Sequence, residues 1–129
     1  MKAFLKNYRQ SPRKVRLVAD LIKGKRVADA FVHLHAMPKR ASGPIEELLK
    51  SAVANAKQAG VSEDNLYVSN VTVNKGIVMK RSMPRARGSS AQILKRSSHV
   101  IITLGEKAQK GKVSKTTHAG KTAQATDSK

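Results

Sequence analysis

The sequence predicts an α+β fold: three helices packed on a small antiparallel sheet with a long protruding β-hairpin. Three segments carry apolar side chains at helical spacing, and other segments alternate between apolar and polar side chains as half-buried strands do. A third observation is the stretch 76–104, which has strand-like ends and a cationic middle. Two arms of about ten residues would project about 30 Å, whereas a body of ~100 residues has a radius of gyration of only ~13 Å.

The first two predicted elements are a short strand and a helix. Residues 3–9 alternate loosely, with Phe4 and Tyr8 on one side, which indicates a strand. Ser11 and Pro12 then form a helix start, with serine as N-cap and proline at the first helical position. Gly24 ends this helix.

Two more helices follow. The second has apolar residues at i, i+3, i+4 and i+7 from Val27 to Leu34 and ends before Pro38. The third begins near Ser42 and closes at Gly60. We expect Asn55 on this helix to make a structural polar contact. The apolar stripe of the third helix consists of Ile45, Leu48, Leu49, Ala52, Val53 and Ala56.

The second strand covers residues 67–74 and runs through a bend or bulge at Lys75 and Gly76 into the arm. The arm returns through a strand that ends at Leu104. Pro84 cannot donate to a strand ladder and Gly88 allows close approach of another backbone, so we expect an irregular, thin tip. Two-stranded ribbons are marginal alone in water, so the cations of this arm suggest a polyanion that holds it in shape.

The predicted domain therefore spans residues 1–104, with the hairpin arm at 76–104. Residues 105–129 contain six lysines, two acids and a single large aliphatic residue, Val113. This composition predicts a basic disordered tail.

The charge balance indicates a polyanionic partner. The chain has 26 basic and 8 acidic residues, a formal charge of +18, which favours nucleic acid or an anionic surface. Zero cysteines exclude disulfides and thiolate metal sites. No signal peptide and no run of ~18 apolar residues is visible, so we expect a cytosolic protein. The aromatic rings Phe4, Tyr8, Phe31 and Tyr67 are scattered, which favours phosphate contact over base stacking.

Catalysis has little support in the sequence. It contains no phosphate-binding glycine loop, zinc-protease motif or nucleophile elbow, so we predict a non-enzymatic protein without cofactor or metal. His33 and His35 have i, i+2 spacing, which points them apart on a helix and disfavours a metal site. His99 lies beside Ser97 and Ser98, where we expect a hydrogen bond to a phosphate or a neighbouring group.

Most of the candidate nucleic-acid-binding residues lie in two acid-free stretches, and Lys25 lies outside both. No acid occurs in residues 1–19 or from residue 65 to 105. Arginine and lysine there can neutralise phosphates, and arginine can also bind a phosphate through two hydrogen bonds. The predicted RNA-binding residues are Arg9, Arg13, Lys14, Arg16, Lys25, Lys80, Arg81, Arg85, Arg87, Lys95, Arg96 and His99.

Several motifs resemble the bacterial large-subunit ribosomal protein twenty-two family. They are SPRKVR at 11–16, SAVANA at 51–56, KR at 80–81 and PRARG at 84–88, and the resemblance covers about residues 3–104. It implies a structural constituent of the large ribosomal subunit that binds ribosomal RNA, aids assembly and lines the nascent-peptide exit tunnel with its hairpin. The implied tunnel-lining tip is Gly88, Ser89, Ser90 and Ala91.

The same resemblance implies the partners and the location. The partners would be large-subunit ribosomal RNA, neighbouring ribosomal proteins and the nascent peptide at the hairpin tip, with no membrane. The protein would be a monomer within the ribosome, ribosome-bound in the cytoplasm. This chain departs from many members at the hairpin base, where it has Asn74 and Lys75, and at the tip, where Ser89 replaces a cation.

Two other functions remain open at this point. A DNA-bending protein with a β-arm could insert Met83 and Pro84 between base steps. A membrane-active cationic protein could use the amphipathic helix at residues 13–22, although Asp20 and the short apolar face disfavour it.

Overall fold

A computed structural model describes residues 1–106 of the chain and confirms the predicted α+β fold. The strands are β1 (Lys2–Tyr8), β2 (Leu66–Pro84) and β3 (Ser90–Glu106), and the helices are α1 (Pro12–Ile22), α2 (Val27–Ala36) and α3 (Ser42–Gln58). Short 3-10 turns occupy Glu63–Asn65 and Ala86–Gly88. Strand β3 extends two residues beyond the predicted end at Leu104. The rest of the predicted tail lies outside the described residues.

The three strands form one antiparallel sheet with the order β1-β3-β2. The central strand β3 therefore pairs with both neighbours, and Ile102 lies between Ala3 and Val71. The N-terminus extends this pairing, because the backbone N–H of Leu104 donates to the carbonyl oxygen of Met1 over 2.9 Å.

All three helices contribute apolar side chains to one face of this sheet. Alternate residues of β3, from Val100 to Leu104, are buried beneath them, while the residues between are partly exposed. Helix α3 presents the predicted stripe, and Asn55 donates from Nδ2 to the carbonyl oxygen of Lys2 over 3.1 Å. The expected structural role of this amide is confirmed. The largest fully buried side chains of the core include Val15, Val18, Ile22, Leu34, Ile45, Leu49, Val68 and Ile102.

The start of α1 follows the predicted residues in part. Pro12 lies at the start of the helix, where its missing N–H and fixed φ cost nothing, and Ser11 is extended with φ −62° and ψ 133°. The side chain of Ser11 makes no capping hydrogen bond among the described residues. The helix ends before Gly24, which adopts φ +78°.

The predicted bulge lies at the root of the arm. Lys75 pairs with Ser98 and Val78 pairs with Arg96, so β2 contains one more residue than β3 between these pairs. A Cβ on Gly76 would lie 2.6 Å from Ser97 Oγ, so any other residue would require Ser97 or the backbone near it to move. That hydroxyl donates to the carbonyl oxygen of Ile77 over 2.6 Å and fastens the bulge.

Beyond the bulge, the two strands form a regular ladder that leaves the body and ends at the pair of Pro84 with Ser90. The chain reverses over residues 85–89, where the Arg85 N–H donates to the Ser89 carbonyl over 2.8 Å. Arg87 and Gly88 adopt positive φ of 58° and 72°. The tip is irregular, as predicted. Because the reversal is completed at these two residues, Ser90 and Ala91 of the predicted tip lie in β3.

Candidate nucleic-acid interface

In the ladder beyond the bulge, four cations are each paired across the two strands with an apolar residue. Arg96 faces Val78, and Lys95 faces Met79. Closer to the tip the cations lie on β2 and the apolar residues on β3, since Lys80 faces Leu94 and Arg81 faces Ile93. Directly opposed like charges destabilise a strand pair, so this arrangement lets four cations share a short ladder without facing one another.

The cations cover both faces of the arm. Residues paired across an antiparallel ladder point to the same face, and successive residues alternate. Arg96 and Lys80 therefore lie on the helix side of the sheet plane, whereas Lys95 and Arg81 lie on the other side. The side chains of residues 77–90 and 92–96 are exposed. An arm with positive charge all round is suited to being enclosed by a polyanion rather than to lying on a flat surface.

Hydrogen bonds within the tip close the turn, and the two arginines of the tip are exposed. The hydroxyl of Ser89 donates to the carbonyl oxygen of Ala86 over 2.9 Å, which tightens the turn. Within residues 1–106, the guanidinium groups of Arg85 and Arg87 have no hydrogen-bond or ion-pair partner. These two side chains are free to bind phosphate or to stack on a base.

A basic cleft lies between the N-terminal end of α1 and the root of the arm. It consists of two adjoining grooves of about 340 and 560 Å³ that share Ser11 and Arg96. No acidic side chain lines either groove. The positive end of the α1 dipole points toward the same region, which adds to its attraction for phosphate. The cations lining the cleft are Arg9, Arg13, Lys14, Arg16, Arg40, Lys75 and Arg96.

Two of these predicted RNA-binding residues also attach the arm to the body. Arg9 donates from Nη1 to the carbonyl oxygen of Lys95 over 3.3 Å. Arg16 donates from Nη2 to the carbonyl oxygen of Val73 over 3.0 Å. Both residues remain exposed, so their remaining N–H groups face solvent. They can hold the root of the arm and contact a phosphate at the same time.

Lys25 lies away from this cleft. Its ammonium is 2.6 Å from Nε2 of His33, and its carbonyl oxygen accepts the backbone N–H of Val68 over 2.8 Å. Val68 precedes Gly76 by eight positions on β2, which is roughly 25 Å along a strand. The structure therefore brings together the other predicted cations of the body, but not Lys25.

His99 makes one of the two contacts expected for it, a hydrogen bond to a neighbouring group. Its Nδ1 accepts the backbone N–H of Asn7 over 3.1 Å, at a bulge of β1 where Asn7 has φ 55°. This bond requires the ring to carry its hydrogen on Nε2, which is then available as a donor. Its Nε2 lies near the bulge, 3.3 Å from the place a Cβ on Gly76 would occupy.

The sequence analysis missed two cations of the cleft, Arg40 and Lys75. Arg40 follows the end of α2 in a loop without periodicity, so only the fold brings it to α1. Lys75 has a sequence signal, since it directly precedes the bulge glycine and continues the acid-free stretch.

The described acidic side chains that form ion pairs lie on the helices and the 3-10 turn away from the arm. Lys50 contacts Glu46 and Lys57 contacts Glu63, each over 2.8 Å. The hydrogen bond from Lys50 lowers the pKa of Glu46, and the same bond raises the pKa of Lys50.

In residues 1–106, no three His, Cys, Asp or Glu side chains are placed to hold a metal ion. No helix in that part of the chain has the length and apolarity to cross a bilayer.

Comparisons with known proteins show the family to which the chain belongs. The family described as ribosomal protein L22p/L17e matches residues 3–105. The protein named large ribosomal subunit protein uL22 from Lactobacillus delbrueckii subsp. bulgaricus is 48% identical over 106 residues, which cover 81% of this chain and 91% of the relative. The protein of the same name from Syntrophotalea carbinolica is 45% identical, covering 82% and 97%, and that from Acetivibrio thermocellus is 49% identical, covering 82% and 86%. The chain therefore belongs to the ribosomal protein L22p/L17e family.

Proposed function

We propose that this protein is a structural, non-enzymatic constituent of the large ribosomal subunit that binds ribosomal RNA through the arm and the basic cleft at its root. The family assignment supports the ribosomal role. The observation that carries RNA binding is the distribution of charge, because an exposed arm without acids presents cations on both faces. Each such cation can neutralise one phosphate.

The cleft and the arm have different tasks in this proposal. The cleft binds phosphates at the surface of the RNA and fixes the body, because its cations surround the N-terminal end of α1. The arm enters the RNA beyond it. A two-stranded ribbon is marginally stable in water, so contact with RNA on both faces holds it in its extended form.

The thin tip supports the proposed contact with the exit tunnel. Only residues 85–89 form the reversal, and the Ser89 hydroxyl is folded back onto Ala86. The end of the arm therefore presents Arg85, Arg87 and little bulk. The tip lines the nascent-peptide exit tunnel in this proposal, with Gly88 and Ser89 at the apex and Ser90 and Ala91 on the adjoining strand.

The length of the arm supports a role in assembly. The ladder from Val78 to Pro84 spans roughly 20 Å beyond the root. Root and tip can therefore contact separate segments of ribosomal RNA and hold them together while the subunit forms. The protein acts as a ribosome-bound monomer in the cytoplasm, beside neighbouring ribosomal proteins, and requires no cofactor.

The two alternatives from the sequence are not supported by the family assignment. The apolar face of α1 is also occupied, since Val15, Val18 and Ile22 are fully buried in the core and unavailable to a membrane.

Binding to large-subunit ribosomal RNA at increasing salt concentration tests the proposal. We expect log K to fall linearly with log salt, with a slope of about 0.7–0.9 per neutralised phosphate. Arg85→Ala and Arg87→Ala should each reduce the slope by about one such increment. Lys57→Ala, on α3 far from the arm, is the matched control and should leave the slope unchanged. Affinity that does not depend on salt would overturn the proposal.

A further inference from the structure

The face of the sheet opposite the helices is uncovered within residues 1–106. Successive side chains along a strand point to opposite faces of the sheet. The residues that precede and follow the buried Ala3, Val73 and Ile102 along their strands therefore point to this open face. Phe4 lies on this face, on the edge strand β1, and exposes 59% of its surface, although a large aromatic ring in a soluble domain is usually mostly buried.

The side chains near Phe4 on this face include an aliphatic group, a hydroxyl group and an imidazole ring. Phe4 pairs with Ile101, and Ile101 pairs with Thr72 on the other side. The next row along β3 contains His99, which pairs with Asn74. The residues lining the resulting shallow groove of about 340 Å³ include Phe4, Lys6, Asn74, His99 and Ile101.

The positive charge of this face indicates an anionic partner. Strand β1 contributes the exposed cations Lys2 and Lys6, and the described strands carry no acid before Glu106. Exposed aromatic rings on an open antiparallel sheet, flanked by cations and small polar groups, are the means by which sheet proteins bind unpaired bases. A neighbouring protein would instead be expected to meet a broader apolar patch with complementary charges.

We propose that this open face binds an unpaired base of ribosomal RNA, which stacks on Phe4, while Lys6 binds the adjoining phosphate. This inference rests on the proposed function and adds a second mode of RNA contact to it. The Nε2–H of His99 and the side-chain amide of Asn74 are placed to donate to the edge of the base, since the Asn7 bond holds the His99 ring in the required tautomer.

The scattered positions of the rings in the sequence hid this site. Phe4 and His99 are far apart along the chain, and they share one groove only because β1 pairs with β3. The sequence argument against stacking counted only Phe4, Tyr8, Phe31 and Tyr67 and did not consider that Phe4 and His99 could share one sheet face.

Fluorescence gives a direct test, because the chain contains no tryptophan. In Phe4→Trp, the single indole should be quenched when large-subunit ribosomal RNA binds, since a base stacks on it. Val32→Trp is the matched control, because Val32 is 69% exposed on α2 and lies outside the proposed face. Its emission should not change.

Affinity measurements separate stacking from charge and from simple apolar contact. Phe4→Ala and Phe4→Leu should weaken RNA binding by about 5- to 100-fold without changing the salt slope, and Phe4→Tyr should retain affinity. Lys6→Ala should reduce the slope by about 0.7.

The possible outcomes distinguish the two proposals. If Phe4 variants bind normally and the indole is not quenched, while Arg85→Ala loses affinity, the stacking site is wrong and the proposed function stands. Quenching in the intact subunit but not by RNA alone would identify a neighbouring protein as the occupant and would also overturn the inference. If none of the variants changes RNA binding, both proposals fail.

Discussion

The guanidinium of Arg16 on α1 donates a hydrogen bond to the carbonyl oxygen of Val73 on β2, 3.0 Å away. Val73 is one of the last buried residues of β2 before the bulge, so this bond joins the helix to the strand at the point where the arm leaves the body. A residue that composition alone assigns to RNA binding thus also fixes the direction of the arm.

The first prediction concerns this bond. Arg16→Ala should lower the free energy of unfolding by about 1 kcal/mol, because a hydrogen bond from a charged donor is lost at an exposed site. Arg13→Ala is the control on the same helix and should leave stability unchanged while it weakens RNA binding. Chemical denaturation measures both. Equal stability of the two variants would show that the Arg16 bond contributes nothing.

The second prediction concerns the arm in the free protein. The amides of residues 80–87 should exchange with solvent quickly, because the ladder there is two-stranded and exposed on both faces. The amides of α3 should be protected. Adding large-subunit ribosomal RNA should slow exchange in the arm. Hydrogen exchange measures this, and an arm already protected without RNA would contradict the prediction.

The third prediction concerns the bulge. Gly76→Ala would place a Cβ 2.6 Å from Ser97 Oγ and 3.2 Å from the Ser97 backbone carbonyl carbon, so one of them must move. We expect a loss of about 1–3 kcal/mol in the free energy of unfolding. Gly43→Ala is the control: no atom lies within 4 Å of its added Cβ, and alanine favours the helix, so stability should rise by up to about 1 kcal/mol.

The fourth prediction compares two adjacent serines. Ser98 Oγ is fully buried and has no hydrogen-bond partner among the described residues, so Ser98→Ala should raise the free energy of unfolding by about 1 kcal/mol. Ser97→Ala removes the 2.6 Å bond to Ile77 and should lower it by about the same amount. Thermal or chemical unfolding compares the two. A loss of stability in both variants would show that the Ser98 hydroxyl has a partner in solution.

The fifth prediction concerns pH. The pKa of Glu46 is lowered chiefly by the hydrogen bond from Lys50, whose own pKa is raised. The stabilisation that this ion pair gives the folded state is therefore present at neutral pH. It is lost as the pH falls through the pKa of Glu46, and it is also lost as the pH rises through the pKa of Lys50. Lys50→Met should return the pKa of Glu46 toward its ordinary value in an NMR titration, whereas Lys39→Met should leave it lowered. An unchanged Glu46 titration in Lys50→Met would disprove the assignment.

Local signals in the sequence were enough to predict the elements and the position of the arm. Proline at position 12 and glycine at positions 24 and 60 act through their own backbone geometry, so the start of α1 and the ends of α1 and α3 could be predicted without knowledge of the fold. Lys75 and Gly76 were predicted as a bend or bulge at the point where the alternating strand runs into the arm, and the structure has a bulge there. Such features depend only on neighbouring residues.

The contacts between helices and strands could not be predicted from local signals in the sequence. Arg40 reaches the cleft, and Lys25 does not, because of how α1, α2 and the sheet pack together. The pairing of cations with apolar residues along the arm also depends on the register between β2 and β3. A shift of one residue between the strands would place Lys80 opposite Lys95, and no local pattern excludes that shift.

The pairing of Glu106 with Leu66 has a practical consequence for handling this protein. Strand β3 begins at the tip of the arm and ends sixteen positions later at the opposite edge of the body, roughly 50 Å away by strand length. A fluorophore attached at position 106 would therefore lie on the side of the molecule that faces away from the hairpin. Labelling at that position should leave the arm unobstructed, whereas a label at Lys2 would lie on the same strand and face as Phe4.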